Sequence, residues 1–457
     1  MFERTRLLMF KRTRLLWLAT CTGGGYNRAV SHILNRPDSS GSRNRAFRYA
    51  GAVERSRIMR IAIDGIPLAE PKTGIGHYTF ELARGLAALA PEHDFELVAH
   101  VPIEAAVEDA FDSGAALPSN LRAVHAPTNA LSKRWWTIGL PLYVQRRGVA
   151  LFHGTNYKVP LWNRCHTIVT IHDLSLLLHS HTHEEELVRR ARLRLPATAR
   201  MASKIITDSE SVKREICEHL RIRPEKIAVV PLAPRRAFRP VGATVSAAAR
   251  RRLGVADDFI LFVGTVEPRK NLLTLVRAFE ELTRSTSLRP QLVIAGKKGW
   301  LTEELFALIE QSGLGSRMLF TGYISDEDLA ALYSSCRVCV YPSLYEGFGL
   351  PPLEAMSCGA PVITSRIPVI METVGDAARL VEPTDVGALS ACIRELWESE
   401  ADRRRLSAEG IAHAARFTWE RTARLTLDVY EEVLRGAARG ERSKRGGANV
   451  DLNEAGL

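Results

Sequence analysis

Residues 227–242 read IAVVPLAPRRAFRPVG, and residues 259–264 read FILFVG. The first stretch opens as a short apolar run of the kind that fills a buried parallel strand. It then loses all periodicity across Pro231, Pro234, Pro240 and the arginines between them. The second stretch starts the strand pattern again. Upstream of the break, apolar runs at 61–65 (IAIDG), 95–101 (FELVAHV), 150–154 (ALFHG), 167–173 (TIVTIHD), 204–209 (KIITDS) and 227–231 alternate with turns and amphipathic stretches such as YTFELARGLAALA and SVKREICEHL. Downstream the runs are 259–264, 291–296 (QLVIAG), 318–323 (MLFTGY), 338–343 (VCVYPS) and 360–365 (APVITS). Strands alternating with helices require right-handed crossovers and a parallel sheet covered on both faces. The pattern occurs twice, on either side of one hinge. The expected fold class is therefore α/β, with two doubly wound, Rossmann-like parallel-sheet domains at 59–240 and 241–415 facing a central cleft. Ligands of such sheets sit beyond the carboxyl ends of the strands. Residues 416–434, beginning Phe417-Thr418-Trp419, read as a closing amphipathic helix, and 435–457 as a disordered tail.

A chain of 457 residues exceeds what one core usually organises, which agrees with two domains. Its 46% hydrophobic and 25% charged content excludes a disordered, fibrous or collagen-like chain. No stretch approaches the roughly 18 apolar residues of a membrane-spanning helix. The net charge of +11 suggests a nucleic-acid partner until it is mapped. Residues 1–58 hold twelve Arg or Lys against Glu3, Asp38 and Glu54, a balance of +9, so the remaining 399 residues carry only +2. The body is nearly neutral and no nucleic-acid partner is expected. The basic extension 1–58 reads either as a disordered arm or as untranslated, because Met59 opens a sound first strand. Seven scattered cysteines make no disulfide framework, and Cys336 and Cys339 read as core packing in a reduced, cytoplasmic setting.

Three segments follow predicted strands and so point at the cleft. Pro71-Lys72-Thr73-Gly74-Ile75-Gly76 precedes a helix; its glycines let backbone approach an anion, though a plain tight turn would look the same. Glu267-Pro268-Arg269-Lys270-Asn271 places two cations at a helix start, where the dipole is already positive. A bound polyanion would relieve that conflict; solvated surface cations are the alternative. Tyr341-Pro342-Ser343-Leu344-Tyr345-Glu346-Gly347-Phe348-Gly349-Leu350-Pro351-Pro352-Leu353-Glu354 ends a strand, turns through glycines and opens a helix on two prolines. The N–H groups of Gly347, Phe348 and Gly349 suit phosphate or sugar oxygens. Two carboxylates beside an anion site make sense if they accept hydrogen bonds from hydroxyls, which sugars supply.

The acidic pair eight positions apart around GFGL, with EPRKN and the N-terminal TGIG, resembles the retaining nucleotide-sugar glycosyltransferases of family 4, which have the GT-B fold. The resemblance spans about residues 59–432. It implies that Glu354 binds the nucleotide ribose and Glu346 the donor sugar near its reacting carbon. It implies backbone donors from Gly347, Phe348, Gly349 and Leu350, closure of Gly74 and Gly76 over the pyrophosphate, and contact of His172 with the transferred sugar. Many members carry Arg directly after the glycine that ends the 259–264 strand, whereas Thr265 stands here. Arg269 and Lys270 must then supply the pyrophosphate charge, with Lys270 matching the family's basic residue. Glu346, Lys270 and His172 are the expected catalytic residues, with no metal and no other cofactor. The expected reaction is front-face transfer in which the leaving phosphate accepts the acceptor's proton. The closing helix is expected to cross back onto the first domain.

The motif style resembles bacterial mannosyltransferases, which implies a hexose, mannose from GDP-mannose, passed to a saccharide or lipid-linked saccharide in surface polysaccharide or lipopolysaccharide synthesis. A UDP-sugar transferase and a nucleotide-sugar epimerase of the same fold are the alternatives. Ser132-Lys133-Arg134-Trp135-Trp136 reads either as helix core or as a basic aromatic face for peripheral contact with the inner surface of the plasma membrane. His179, His181 and His183 alternate without a carboxylate at matching spacing and read as a solvated loop rather than a zinc site.

Overall fold

The computed structural model describes residues 58–69, 74–103, 117–129, 132–160, 162 and 165–448. Seven strands form the first parallel sheet: β1 (Arg60–Asp64), β2 (Asp94–Ala99), β3 (Leu121–His125), β4 (Leu151–Gly154), β5 (His166–Thr170), β6 (Lys204–Thr207) and β7 (Ile227–Val229). Their order is β3-β2-β1-β4-β5-β6-β7. Six strands form the second: β8 (Phe259–Val263), β9 (Gln291–Ala295), β10 (Met318–Gly322), β11 (Val338–Tyr341), β12 (Val362–Ser365) and β13 (Arg379–Val381), ordered β10-β9-β8-β11-β12-β13. The strand order reverses between β1 and β4 and again between β8 and β11, so each sheet has a switch point where ligands collect. All five residues of β8 are buried, as a strand covered on both faces must be. The extension before Ile58, the stretch Glu70–Thr73 and residues 449–457 lie outside the described residues.

The final helix, Trp419–Ala448, packs along the helix Gly74–Leu89 of the first lobe. A Cβ at Gly85 would lie 2.8 Å from the Ala423 Cβ, so this glycine permits the close approach. Trp419 Nε1 donates to Pro234 O (3.0 Å), and Thr422 Oγ1 donates to Pro231 O (2.7 Å). Deeper in, the Tyr430 hydroxyl sits 2.7 Å from His153 Nδ1. The helix continues past the expected end at 434, so the expected disordered tail is helical through Ala448. An Arg435–Glu431 pair one turn apart (2.9 Å) supports the helix just past that point.

One sequence expectation about surfaces changes here, and one about the core holds. Trp135 is buried and stacks on His100 with ring centroids 5.3 Å apart, while Trp136 meets the Phe152 ring edge-on at 6.4 Å. The aromatic pair therefore belongs to the first lobe's core rather than to an exposed membrane-facing patch. Cys336 and Cys339 are buried beside Cys358 in the apolar core. Among the described residues, no helix is long and apolar enough to cross a membrane.

Candidate active site

The carboxyl edge of β11 feeds the loop 342–349, and Gly349 then caps the helix Leu350–Ser357 with φ of 97°, a left-handed conformation suited to glycine. The adjacent strand β8 leads through Gly264 into a tight turn, Pro268–Lys270, closed by Asn271 at φ 57°. Asn271 Nδ2 ties the two segments together by donating to Pro342 O (3.0 Å) and Pro383 O (2.6 Å). Leu344 N donates to Arg269 O at 2.9 Å. This stitching delivers both cations to one carboxylate. Lys270 Nζ lies 2.7 Å from Glu346 Oε1 and Arg269 Nη1 lies 3.1 Å from Oε2, while Glu346 is only 7% exposed. Burial pushes the Glu346 carboxyl upward, but Lys270 and Arg269 outweigh it and hold the pKa at about 2. Lys270 is itself pushed down by burial and by Arg269, against the pull of Glu346 and Glu267.

The cations at the helix start are thus neutralised within the protein. Arg269 pairs with Glu267 at 2.6 Å as well as with Glu346. The conflict with the helix dipole is relieved by two glutamates, not only by an incoming polyanion. The N–H groups of Gly347, Phe348 and Gly349 have no hydrogen-bond partner among the described residues, which leaves them available to an anion. Phe348 contributes backbone only, because its ring is buried against Phe417. Leu350 opens the helix behind that loop.

Glu354, in the same helix, is 3% exposed. Its carboxylate, expected at the nucleotide ribose, already has a partner within the protein. Arg235 from the linker between the sheets donates through Nε to Oε1 (2.9 Å) and through Nη2 to Oε2 (3.2 Å). The same guanidinium reaches Asp326 Oδ1 at 2.6 Å, stacks on Phe238 at 4.3 Å and lies 3.4 Å from His77 Nε2 in the first lobe. Arg235 and Asp326 were not legible as site residues, since the irregular linker has no period to mark which arginine points inward.

From the first lobe, His172 stands two residues beyond β5. Its Nε2 is 3.0 Å from Thr155 O, which can only accept, so that nitrogen carries a proton. Its Nδ1 is 2.8 Å from Asp208 Oδ2. Burial opposes protonation, yet Asp208 and the Thr155 carbonyl prevail and raise the imidazole pKa. Both ring nitrogens are therefore engaged inside the first lobe. What His172 presents to the second lobe is its backbone: a Cβ at Gly347 would sit 2.1 Å from His172 O. Asp208, just past β6, was carried in the KIITDS run without being singled out.

Gly74 begins the helix Gly74–Leu89, with open space where a Cβ would stand, and Gly76 is buried in its first turn. His77 of that turn approaches Arg235 and Tyr78 meets the His172 ring edge-on at 4.9 Å. The first turn therefore borders both halves of the site.

The lobes are closed on one another. Ser209 Oγ donates to Gly347 O (3.0 Å), and Leu174 N to the Tyr345 hydroxyl (2.9 Å), which in turn donates to Glu215 (2.6 Å). Glu372 accepts from the N–H groups of Glu210 (2.7 Å) and Ser211 (3.1 Å). Trp300 Nε1 donates to Thr182 O at 2.7 Å. The three alternating histidines are divided by these contacts: His179 lies against Tyr345 and His183 against Trp300. Among the described residues, no group of three or more His, Cys, Asp or Glu is placed to hold a metal ion.

Two facing parallel sheets, with a charged carboxylate and unpartnered amides at the junction, define a two-lobed glycosyltransferase of GT-B architecture. Residues 72–233 match the family described as Glycosyltransferase Family 4, and residues 248–413 that of Glycosyl transferases group 1. The chain is 32% identical over 388 residues to the O-antigen chain mannosyltransferase B of Escherichia coli, covering 82% of this chain and all of that one. Sucrose-phosphate synthase from Thermosynechococcus elongatus superposes with a TM-score of 0.66 at 24% identity, over 83% of this chain and 100% of that one. Anabaena HepE in complex with UDP and glucose gives 0.64 at 19%, over 82% and 100%. The chain belongs to the group 1, family 4 glycosyltransferases.

Proposed function

We propose that this glycosyltransferase moves a mannosyl residue from GDP-mannose to a saccharide or lipid-linked saccharide acceptor during surface-polysaccharide assembly. In this reading the anomeric configuration is retained and no metal takes part. The relative named for O-antigen mannosyl transfer supports the sugar and the setting. The observation that carries the nucleotide-sugar reading is the junction itself. A buried, ionised Glu346 is held by Lys270 and Arg269 beside the unpartnered amides of Gly347 to Gly349.

The site residues then take these parts. Lys270, Arg269 and the loop amides meet the pyrophosphate as its charge grows, a preorganised role in a water-poor cleft. Glu346 accepts hydroxyls of the donor sugar and steadies positive character on its ring. Glu354 accepts the ribose hydroxyls. Gly74 and Gly76 bring the first helix's amino end toward the pyrophosphate. His172 acts by fixing the strand end, because neither ring nitrogen is spare. The acceptor hydroxyl attacks the anomeric carbon from the face the phosphate leaves, the carbon–phosphate-oxygen bond breaks, and that oxygen takes the acceptor's proton.

A UDP-sugar donor is the second reading, favoured by the UDP held in the related HepE fold. A thermal-shift panel of GDP, UDP and their sugars separates them, because a ligand selective for the folded state raises its melting point. GDP and GDP-mannose are expected to shift the transition; a shift with UDP alone would overturn the mannose assignment. Release of an altered free sugar without acceptor would identify an epimerase instead.

A further inference from the structure

Arg235 has no part in the roles above, yet it is the most densely tied side chain in the donor half of the cleft. A carboxylate offers about four lone-pair positions. Arg235 occupies two of those on Glu354, one per oxygen, with the side-on bidentate geometry that only guanidinium provides. The Arg235 backbone N–H also steadies this carboxylate, and the lone pairs that Arg235 leaves open are the ones a vicinal diol would take. The guanidinium is itself fixed on three sides, by Asp326, by the Phe238 ring and by His77 of the opposite lobe.

We propose that Arg235 is a positioning residue of the donor site, holding the Glu354 carboxylate in the one orientation that offers its free lone pairs to the ribose diol of the nucleotide. The inference rests on the reading that Glu354 takes those hydroxyls. Burial, with Asp326 adding to it, leaves the Glu354 pKa raised even though Arg235 pulls it down, so without Arg235 this carboxyl would be protonated more readily still. The other groups facing it are Tyr333 from the Asp326–Ser335 helix and Cys358, which caps the end of its own helix; neither carries charge near neutral pH, their pKa values being raised. A protonated Glu354 donates rather than accepts at one oxygen and cannot bind both hydroxyls. Nucleotide affinity should therefore fall as the solution is acidified through the Glu354 pKa, and removing Arg235 moves that fall to higher pH.

The experiment measures affinity of the full chain for GDP and for 2′-deoxy-GDP (UDP and 2′-deoxy-UDP if UDP is the nucleotide bound) by calorimetry between pH 5 and 8. Arg235→Gln is expected to weaken ribonucleotide binding about tenfold or more at pH 7, to move the acid limb upward by about a pH unit, and to erase most of the ribose-over-deoxyribose preference. Arg235→Lys keeps the charge, so the acid limb should return toward wild type while the ribose preference stays reduced, because an ammonium cannot orient both oxygens. Should Arg235→Gln fail to fold, the lysine variant alone decides. An unchanged ribose preference in either folded variant would overturn the proposal and leave Arg235 a structural tie. Glu354→Gln tests the underlying reading separately: wild-type affinity and ribose preference in that variant would remove Glu354 itself from the ribose.

Discussion

Glu346 sits between two cations that burial alone would not tolerate, and the triad is neutral only when Glu267 is included. Its folded pKa of about 2 lies below the ordinary 4.5, so the ion pairs stabilise the fold fully above pH 4.5. That contribution, on the order of 3 kcal/mol for a shift of this size, fades as pH falls through the folded value near 2. Removing one partner is worse than removing both, because a lone buried charge remains. Glu346→Gln should therefore abolish at least 99% of transfer and also lower the melting temperature by several degrees. Adding Lys270→Gln should restore much of the melting temperature without restoring any transfer. A double variant no more stable than the single one would contradict the coupling, and near-normal rates in Glu346→Gln would remove the carboxylate from the chemistry.

At the scale of elements, the apolar runs located eleven of the thirteen described strands, and the way they overshot is instructive. The run 167–173 ends three residues beyond β5, 204–209 two beyond β6, and 338–343 two beyond β11. Those extra residues, His172, Asp208 and Ser343 among them, are the strand-end positions that face the cleft. The two strands not foreseen, β3 and β13, are sheet edges. β3 buries only Leu121 fully and β13 spans three residues, so neither needs a continuous apolar sequence. The acidic pair and its basic partners were legible because the chemistry demands those residue types at strand ends. Arg235 was not, since its position is set by tertiary packing of an aperiodic linker. The surface that a peripheral membrane contact would use also had to be sought in three dimensions. With Trp135 buried, the best remaining surface is the helix Glu185–Met201, where Val188, Leu195, Thr198 and Ala199 face the core. Its outer side carries Leu193 at 76% exposure and Met201 at 40%, among five arginines opposed by two glutamates. An apolar stripe flanked by arginines suits an anionic bilayer, where each cation adds about 1 kcal/mol. Leu193→Glu combined with Met201→Glu should cut flotation with vesicles containing anionic phospholipid at least tenfold while leaving transfer to a water-soluble acceptor intact. Equal flotation of variant and wild type would remove this helix from membrane contact.

The whole molecule poses a problem of access. Gly347 is pressed on the His172 carbonyl, Ser209 and Tyr345 bridge the lobes, and the final helix ties the second lobe to the first. A donor of nucleotide-sugar size must enter with these cross-cleft contacts parted, which requires an open state. The linker and the final helix run between the lobes and are placed to act as the hinge. Glu372 is the most separable of the closing contacts, because it lies outside the catalytic cluster. Its carboxylate caps the amino end of the helix Glu210–Leu220 across the cleft, accepting from Glu210 N and Ser211 N, where charge and helix dipole reinforce each other. A cap of this kind is worth about 1–2 kcal/mol, and that energy exists only in the closed state. Glu372→Ala should then raise the ratio of open to closed molecules about 5- to 30-fold. Small-angle scattering of the unliganded enzyme should show a larger radius of gyration. The donor KM should rise by up to that factor, with a melting temperature within a few degrees of wild type, because neither lobe loses an internal contact. Saturating donor should restore the compact scattering profile, since the ligand supplies the closing energy that the cap no longer does. An unchanged radius together with an unchanged KM would mean that Glu372 caps a helix without setting the lobe equilibrium, and closure would then rest on the other cross-cleft contacts, those of Tyr345, Gly347 and Trp300 among them.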